Sequence, residues 1–368
     1  LIEPTATVKE DEPRCRVGTG SSANRFHSEP RLQTLSEEGE TVAVPGSENV
    51  GDSRDETAGR DSPAPGDRGG SGGPGGSSGP GGPSGLGASG GPGDPSDPDV
   101  MVCRNCGVET SSPPPAVCPI CADERQWVPA SGQEWVSRDD LEAEGHRVVI
   151  DEREPGLHAL RVEPRLGIGQ TCYLAQTSEG NLLFDVPPFI DAGAVAAVAA
   201  LGGVAAIVPS HPHMFGMQLA WSAAFDDAPV HVWARDREWL QRQGPAIEFF
   251  DDGIEPLPQV SVHRVGGHFP GSVLALWKGR DGSGVMLAGD SIGPVVRDGW
   301  VTFMRSFPNY LPLSAAVVQR IAASVSDLDF DRMYGNFGQT IAGGAHAAVQ
   351  SSADRYARWV SGEYDDLT

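Results

Sequence analysis

The alternation of apolar and polar positions separates a patterned region of the chain from an unpatterned one. From about residue 158 onward, short apolar runs alternate with stretches of helical periodicity. This pattern predicts helices at 191–201 (with Asp191 as the N-cap), 216–225, 313–324 and 344–360. It predicts strands at 171–176, 181–186, 204–209, 229–234, 260–265, 272–277, 284–288 and 329–334. The chain thus begins with strands and continues with alternating strands and helices. This order indicates helices packed outside a two-sheet core.

Residues 1–100 carry no such pattern. The 368-residue chain has 48 Gly and 31 Pro, and between Gly69 and Gly93 almost every residue is Gly, Ser or Pro. Such a run cannot bury enough apolar surface to offset the entropy lost on ordering, so we predict a disordered leader over 1–100. Two interpretations stay open: a genuine flexible leader, or a start assigned too far upstream, with the true start at Met101.

The formal net charge of −23 is not confined to the leader. Before Met101 there are 17 acidic and eight basic residues, which leaves −14 for the remainder. Because an acidic protein does not neutralise phosphates, we expect no nucleic-acid partner.

The uncharged stretch 192–209 approaches the length of a membrane span. Gly202 and Gly203 divide it, so we predict a helix followed by a buried strand. The early residues are charged and show no apolar signal region. We therefore expect a cytoplasmic protein without a membrane partner.

Four of the six cysteines form two Cys-x-x-Cys pairs separated by 11 residues: Cys103, Cys106, Cys118 and Cys121. Two such turns facing each other complete a tetrahedral four-sulfur site. The local sequence over 101–130 resembles the knuckles of zinc ribbons and rubredoxins. Zn²⁺ and iron both suit this site, and a structural metal is favoured over electron transfer. Cys172, in an apolar strand pattern, is predicted to be a buried core thiol.

A second group of possible ligands follows predicted strands. His211 and His213 come directly after the apolar run 204–209, His268 follows a Gly-Gly pair after 260–265, and Asp290 follows 284–288. Three imidazoles and a carboxylate, each at a strand end, make a plausible open metal site.

The order of these motifs resembles that of the metallo-β-lactamase superfamily, over roughly residues 155–360. The resemblance implies an αββα sandwich of the α/β class (α+β in some schemes) over 155–362, with a connector at 131–154 after the ribbon-like module at 101–130. It also implies that His211, His213 and His268 bind one metal ion. Asp290 would be the bridging or terminal carboxylate, and Asp185 a structural residue at a strand end.

The sequence departs from this family at three positions. The usual motif is His-x-His-x-Asp-His, and Phe215 and Gly216 stand in its last two places. Asn336 stands where a later histidine ligand is expected, and His346 lies on a helical stretch. The resemblance therefore implies one zinc ion in the histidine site instead of two.

We accordingly expect a metal-dependent hydrolase with two Zn²⁺ ions, one in each site, and with iron as an alternative in the cysteine site. Metal-bound hydroxide would cleave an ester, thioester or lactone bond of a small-molecule substrate, with Asp290 as the catalytic proton acceptor. Met214 and Phe215 are expected to make the mouth of the site apolar. Two alternatives stay open: an inactive interaction module, and a redox protein with iron bound by the cysteines.

Overall fold

The computed structural model describes residues 100–368. Residues 1–99, which hold nearly all of the predicted leader, lie outside the described residues, as does the choice between a genuine leader and a start at Met101. The four-cysteine module opens the described part with β1 (Val100–Cys103), β2 (Glu109–Ser111), α1 (Pro119–Ala122), β3 (Trp135–Ser137) and α2 (Arg138–Ala143). Its three strands form an antiparallel sheet in the order β2-β1-β3. We call residues 100–137 the ribbon.

A seven-stranded sheet follows the ribbon. Its elements are β4 (Arg147–Glu154), β5 (Leu157–Glu163), β6 (Cys172–Thr177), β7 (Gly180–Phe184), α3 (Ala192–Ala200), β8 (Ala206–Val208), α4 (Gln218–Ala223), β9 (Val230–Trp233) and β10 (Ile247–Phe250). The strand order is β10-β9-β8-β7-β6-β5-β4, parallel from β7 to β10 and antiparallel from β4 to β7. The range 131–154, predicted as a connector, therefore contributes β3 to the ribbon sheet and β4 to this sheet.

A six-stranded sheet completes the chain. The elements are β11 (Ile254–Leu257), β12 (Val260–Arg264), β13 (Val273–Lys278), β14 (Gly284–Leu287), the hairpins β15 (Gly293–Pro294) with β16 (Val301–Thr302) and β17 (Met304–Ser306) with β18 (Leu311–Pro312), α5 (Ala315–Ser324), β19 (Arg332–Tyr334), β20 (Thr340–Ile341) and α6 (Ala345–Val360). The order is β11-β12-β13-β14-β19-β20, with only β14 and β19 parallel. Three 3-10 turns lie at Pro212–Met214, Ala234–Trp239 and Asp365–Leu367.

Three apolar clusters hold these layers together. The middle cluster joins the inner faces of the two sheets, for example Tyr173 and Ala175 of β6 with Ala275 and Trp277 of β13. A second cluster packs α3, α4 and the ribbon onto the outer face of the seven-stranded sheet. The third packs α5 and α6 onto the outer face of the six-stranded sheet. The predicted αββα sandwich is confirmed by this arrangement.

The period-two alternation of β6 shows how the sequence selects these faces. Tyr173 points to the inner core, while Cys172 and Leu174 belong to the outer cluster under the helices. Cys172 is a buried free thiol, as predicted. Asp191 caps α3 by accepting a hydrogen bond from the Ala194 backbone N–H at 2.8 Å, also as predicted.

The uncharged stretch 192–209 is divided as the sequence predicts. α3 ends at Ala200, Gly202 and Gly203 both have positive φ angles, and β8 begins at Ala206. Among the described residues, 100–368, no helix is both long and apolar enough to cross a membrane.

The ribbon shares its core with the sandwich. All four of its cysteines lie in the cluster that also contains Trp221 of α4. The buried carboxylate of Glu109 accepts a hydrogen bond from the Leu219 backbone N–H at 2.6 Å and pairs with Arg242 at 3.0 Å. Burial raises the pKa of Glu109, while the charge of Arg242 and the Leu219 N–H oppose that rise. The ribbon is thus fixed to the layer of the sandwich that also carries the first two histidines.

Candidate metal centres

Strand ends deliver the four residues of the histidine site. His211 and His213 follow β8, and His213 lies within the 3-10 turn Pro212–Met214. His268 follows β12, and Asp290 follows β14. The two sheets meet at this edge, so residues far apart in the sequence converge there.

All four predicted ligands come together, and each is buried. The nearest approaches join His268 Nε2 to His213 Nδ1 at 3.1 Å, His211 Nε2 to Asp290 Oδ2 at 3.6 Å, and His268 Nε2 to Asp290 Oδ2 at 3.9 Å. One ligand atom from each residue lies within 4.8 Å of the others. In a tetrahedral site with zinc–ligand distances of about 2.0–2.1 Å, neighbouring ligand atoms are about 3.4 Å apart. The donor set and its spacing therefore fit one zinc ion.

In two of the three histidines, the nitrogen that points away from the cluster is held by a hydrogen bond. His211 Nδ1 lies 2.9 Å from the Ser210 hydroxyl, and His268 Nδ1 lies 3.3 Å from the carbonyl oxygen of Met304. An N–H donated from Nδ1 to a carbonyl oxygen leaves Nε2 as the lone-pair nitrogen, which is the form that binds metal. His211 Nε2 is buried with no hydrogen-bond partner, as expected of an atom that awaits a cation.

The electrostatics of the cluster favour the metal-binding protonation states. Burial, followed by the neighbouring histidines, lowers the pKa of His213 well below its usual value. Burial, followed by His211, lowers the pKa of His268 to about 3. Burial alone would raise the pKa of Asp290, but the neighbouring His211 and the charge of His268 outweigh it and lower that pKa. Neutral imidazoles and an ionised carboxylate are the ligand forms that bind metal.

Asp185 and Asn336 support the turn that carries the histidines. Asp185, in a left-handed conformation with φ 61°, follows β7 and accepts a hydrogen bond from the Ser210 backbone N–H at 2.6 Å. The amide of Asn336 donates to the other carboxylate oxygen of Asp185 and lies 3.6 Å from the sulfur of Met214. Burial raises the pKa of Asp185 to about 6. Asn336, which stands where a histidine ligand is expected, thus binds the carboxylate of Asp185, and that carboxylate supports the turn that carries His211.

The two other departures from the family motif are taken up by packing. Phe215 is buried in the outer cluster with α4, and Met214 is fully buried. The prediction that Met214 and Phe215 line an apolar mouth is therefore wrong, because the 3-10 turn directs both side chains into the protein. At Gly216, φ is +50° and the backbone packs against the carbonyl oxygens of Val186 and Pro187.

We expect Gly216→Ala to destabilise the fold by more than about 2 kcal/mol. A left-handed conformation alone costs a non-glycine residue about 1–2 kcal/mol. In addition, the new Cβ would lie 2.3 Å from the Val186 carbonyl oxygen and 2.8 Å from that of Pro187, and backbone atoms cannot easily give way. Urea unfolding of the full chain measures the loss.

Gly299→Ala is the matched control for that experiment. Gly299 also has a positive φ of +73°, but nothing lies within 4 Å of its added Cβ. Gly299→Ala should therefore lose only the stability that a left-handed conformation costs a non-glycine residue. Equal losses in the two variants would contradict the steric account. If the account holds, Gly216→His cannot recreate the family's second metal site.

A cavity of about 270 Å³ opens onto the histidine site. His213, His268 and Asp290 line it, together with Gln126, Trp127, Arg165, Ile168, Phe307, Pro308 and Phe337. A second cavity of about 310 Å³ shares Asp290, Phe307 and Phe337 with the first. The mouth of the site is therefore apolar, but through residues that the sequence did not indicate.

Gln126 and Trp127 are the least expected members of this lining, because they come from the ribbon. Gln126 lies 87 positions before His213, whose Nδ1 is 3.4 Å from its amide nitrogen. No spacing pattern in the sequence signals a contact over that separation. The one sign in the sequence was local: Gln126 and Trp127 lie five and six residues after Cys121 of the predicted metal-binding knuckle.

The four ribbon cysteines also fit a metal ion. The sulfurs of Cys103 and Cys121 are 3.7 Å apart, as are those of Cys106 and Cys118, and all four lie within 4.8 Å of one another. A tetrahedron with zinc–sulfur distances of about 2.3 Å has edges of about 3.8 Å. Amide N–H groups point at two of the sulfurs, from Asn105 to Cys121 at 3.3 Å and from Gln133 to Cys103 at 2.8 Å.

Comparison with known proteins places the chain in a family. No family model matches the sequence. The sequence is 36% identical to the uncharacterized protein YmaE of Bacillus subtilis (strain 168) over 267 residues, which cover 71% of this chain and 97% of YmaE. The chain belongs to the YmaE family.

Solved structures similar to this YmaE-family protein include metallo-β-lactamases. FIM-1 from Pseudomonas aeruginosa, in its mono-zinc form, shares 12% identity over 57% of this chain and 96% of FIM-1, with a TM-score of 0.42. DIM-1 shares 10% identity over 57% of this chain and 98% of DIM-1, with a TM-score of 0.44. A mutant metallo-β-lactamase from Cronobacter sakazakii shares 17% identity over 60% of this chain and 99% of the lactamase, with a TM-score of 0.40.

The fold expected from the resemblance to the metallo-β-lactamase superfamily is confirmed on the architecture of this YmaE-family protein. The two sheets, the outer helices and the convergence of His211, His213, His268 and Asp290 in family order are all present. The metal-binding and catalytic roles of these residues stay predictions.

Proposed function

We propose that this protein is a metal-dependent hydrolase with one zinc ion held by His211, His213, His268 and Asp290. The observation that supports it is the convergence of these four buried ligands, three of which (His213, His268 and Asp290) line a cavity. Zinc bound by three histidines lowers the pKa of a coordinated water to about 7 and so supplies a nucleophile at neutral pH.

A single zinc ion is supported by what the other motif positions do. Phe215 is buried in a core cluster, Gly216 has no room for a side chain, and Asn336 bonds to Asp185. None of the three is free to supply a second set of ligands.

Asp290 is proposed as the proton acceptor. It is the one carboxylate that lines both cavities, and its lowered pKa keeps it ionised at neutral pH. It can therefore both orient a nucleophile and take its proton. His213 and His268, which share the smaller cavity, are held neutral by burial and serve as ligands.

The lining of the cavities favours a substrate with an apolar portion beside the bond that is cleaved. Ile168, Phe307, Pro308 and Phe337 provide apolar surface, and Arg165 is the one cationic side chain among the residues that line the two cavities. Esters, thioesters and lactones meet this description. A polyphosphate would need more positive charge than this lining provides.

For the ribbon we propose a structural zinc ion. The four cysteines are almost completely buried in the cluster shared with the sandwich, whereas a cluster that exchanges electrons with partners needs access to its surroundings. Purified full-length protein should be colourless and should contain two zinc ions per chain. A red protein with iron bound by the cysteines would contradict this assignment.

Hydrolysis of aryl esters, aryl thioesters and lactones by the zinc-loaded full chain tests the hydrolase proposal. We expect Asp290→Asn to lower kcat by at least about 100-fold, the usual contribution of a positioned proton acceptor. Asp281→Asn is the control, because Asp281 is an exposed carboxylate that pairs with Arg332.

Two outcomes of this test would overturn the proposal. Activity that survives removal of zinc from the histidine site would show that the metal is not needed. A folded, zinc-loaded protein that hydrolyses none of the three substrate classes would favour an interaction module instead.

A further inference from the structure

The ribbon delivers a buried amide to the histidine site. Gln126 is only 6% exposed, although it lies just beyond the short helix α1. Its side-chain nitrogen is 3.4 Å from His213 Nδ1, the same atom that lies 3.1 Å from His268 Nε2. Its side-chain oxygen is buried and has no hydrogen-bond partner. A buried carbonyl oxygen without a donor is costly unless a ligand or ion satisfies it.

The backbone around Gln126 is fixed from both sides. Its N–H donates to the Asp123 carbonyl at 3.0 Å, and its own carbonyl accepts from the side chain of Asn309 at 2.9 Å. The preceding residue, Arg125, donates from Nε to the carbonyl oxygen of His268 at 2.7 Å. The guanidinium of Arg125 also lies 4.1 Å from the centre of the Phe269 ring. Gln126 is therefore held against the site by a built contact and is not a mobile surface side chain.

The ring of Phe269 extends this support to the ligands. It stacks on His211 with ring centres 5.7 Å apart and meets His213 edge-on at 4.9 Å. Arg125 thus reaches the ligands through the backbone of His268 and the ring of Phe269. Gln126 contacts His213 directly.

A metal ion on His213 Nδ1 decides which end of the amide faces the cluster. The lone pair of Nδ1 would then be used, so the amide N–H could not donate to it, and the N–H hydrogens would face a cation. A half-turn of the terminal amide exchanges its oxygen and nitrogen with little change in shape. That rotation brings the unsatisfied oxygen toward the positive charge.

We propose that the side-chain oxygen of Gln126 is a further ligand of the metal ion in the histidine site, contributed by the ribbon. This inference rests on the proposed zinc site formed by the three histidines and Asp290. It assigns the ribbon a part in the metal centre beyond its own four cysteines, and it explains why a buried amide lies among imidazoles.

Zinc affinity of the histidine site, measured on the full chain by competition with a chromophoric chelator, tests this proposal. We expect Gln126→Leu, which keeps the bulk but removes the oxygen, to weaken binding at least about tenfold. Gln126→Glu keeps an oxygen at the same reach and should bind zinc as tightly as wild type or more tightly. Cobalt placed in the histidine site, with zinc retained in the ribbon, should absorb visible light more strongly in Gln126→Leu as the coordination number falls.

Gln350→Leu is the matched control. Gln350 is a half-buried glutamine of α6 whose amide donates to the carbonyl oxygen of Ala322 at 3.0 Å, and it belongs to neither group of candidate metal ligands. It should leave the zinc affinity of the histidine site unchanged, and melting curves of all three variants report whether each is folded.

The possible results separate this inference from the function on which it rests. Unchanged zinc affinity and an unchanged cobalt spectrum in folded Gln126→Leu would overturn the ligand role alone. Equal weakening in Gln126→Leu and Gln126→Glu would also overturn it, since the N–H group and not the oxygen would then be needed. A wild-type chain whose histidines bind no zinc would overturn the proposed function as well.

Discussion

His211→Ala is expected to leave the protein with one zinc ion per chain instead of two and to abolish hydrolysis. The Nε2 atom of His211 is buried without a hydrogen-bond partner and lies 3.6 Å from Asp290 Oδ2. No neighbouring nitrogen can replace it, because His213 and His268 already occupy their own sides of the cluster. Loss of a supporting residue around a metal typically costs about 10–100-fold in affinity, and loss of a direct ligand should cost at least about 100-fold. Metal analysis after dialysis of the full chain measures the change.

The control for this prediction is His346→Ala. His346 lies on α6 and its Nε2 contacts the carbonyl oxygen of Ser326 at 2.9 Å, outside the cluster. This variant should retain both zinc ions and full activity. Two zinc ions in His211→Ala would show that the second equivalent binds somewhere other than the histidine site.

Cys121→Ser is expected to unfold the ribbon and to weaken the histidine site at the same time. Structural zinc contributes about 10–16 kcal/mol of apparent binding free energy in small zinc modules, so losing one thiolate removes much of what folds the ribbon. The histidine site should weaken because Arg125 and Gln126, which contact it, lie only four and five residues after Cys121. We expect a lower Tm and a zinc content below one ion per chain.

Cys172→Ala separates this effect from the simple loss of a buried thiol. Cys172 lies on β6 and belongs to neither group of candidate metal ligands. Its replacement should lower stability modestly and leave both zinc ions bound. If Cys121→Ser kept two zinc ions and melted like wild type, the ribbon would not depend on its metal.

The fold was largely predictable because most of its inner strands are apolar throughout or alternate clearly, although the inner strand β5 was not predicted. β8, with Ala206, Ile207 and Val208 all buried, is an example. β4 was missed since it is an edge strand whose sequence from Arg147 to Glu154 is mostly charged. Charged residues protect an exposed edge from further pairing, and they also hide the strand from a search for apolar periodicity.

The candidate site was predictable only in part, for a similar physical reason. The three histidines and Asp290 could be found because each directly follows a recognisable strand and because their order resembles a known family. Arg125 and Gln126 reach the site by docking of the ribbon, across separations of 143 and 87 residues. Such contacts depend on how two surfaces fit, which neither periodicity nor motif spacing reports.

The short span of the ribbon sets an order of assembly. Cys103 and Cys121 are 18 residues apart, so the ribbon can close on its metal as soon as this segment leaves the ribosome. His211 and Asp290 are synthesised later, and domains generally fold in the order of their synthesis. The ribbon residues that contact the histidine site, Arg125 and Gln126, are therefore synthesised before the ligands they meet, so the cysteine site can be complete before the histidine site forms.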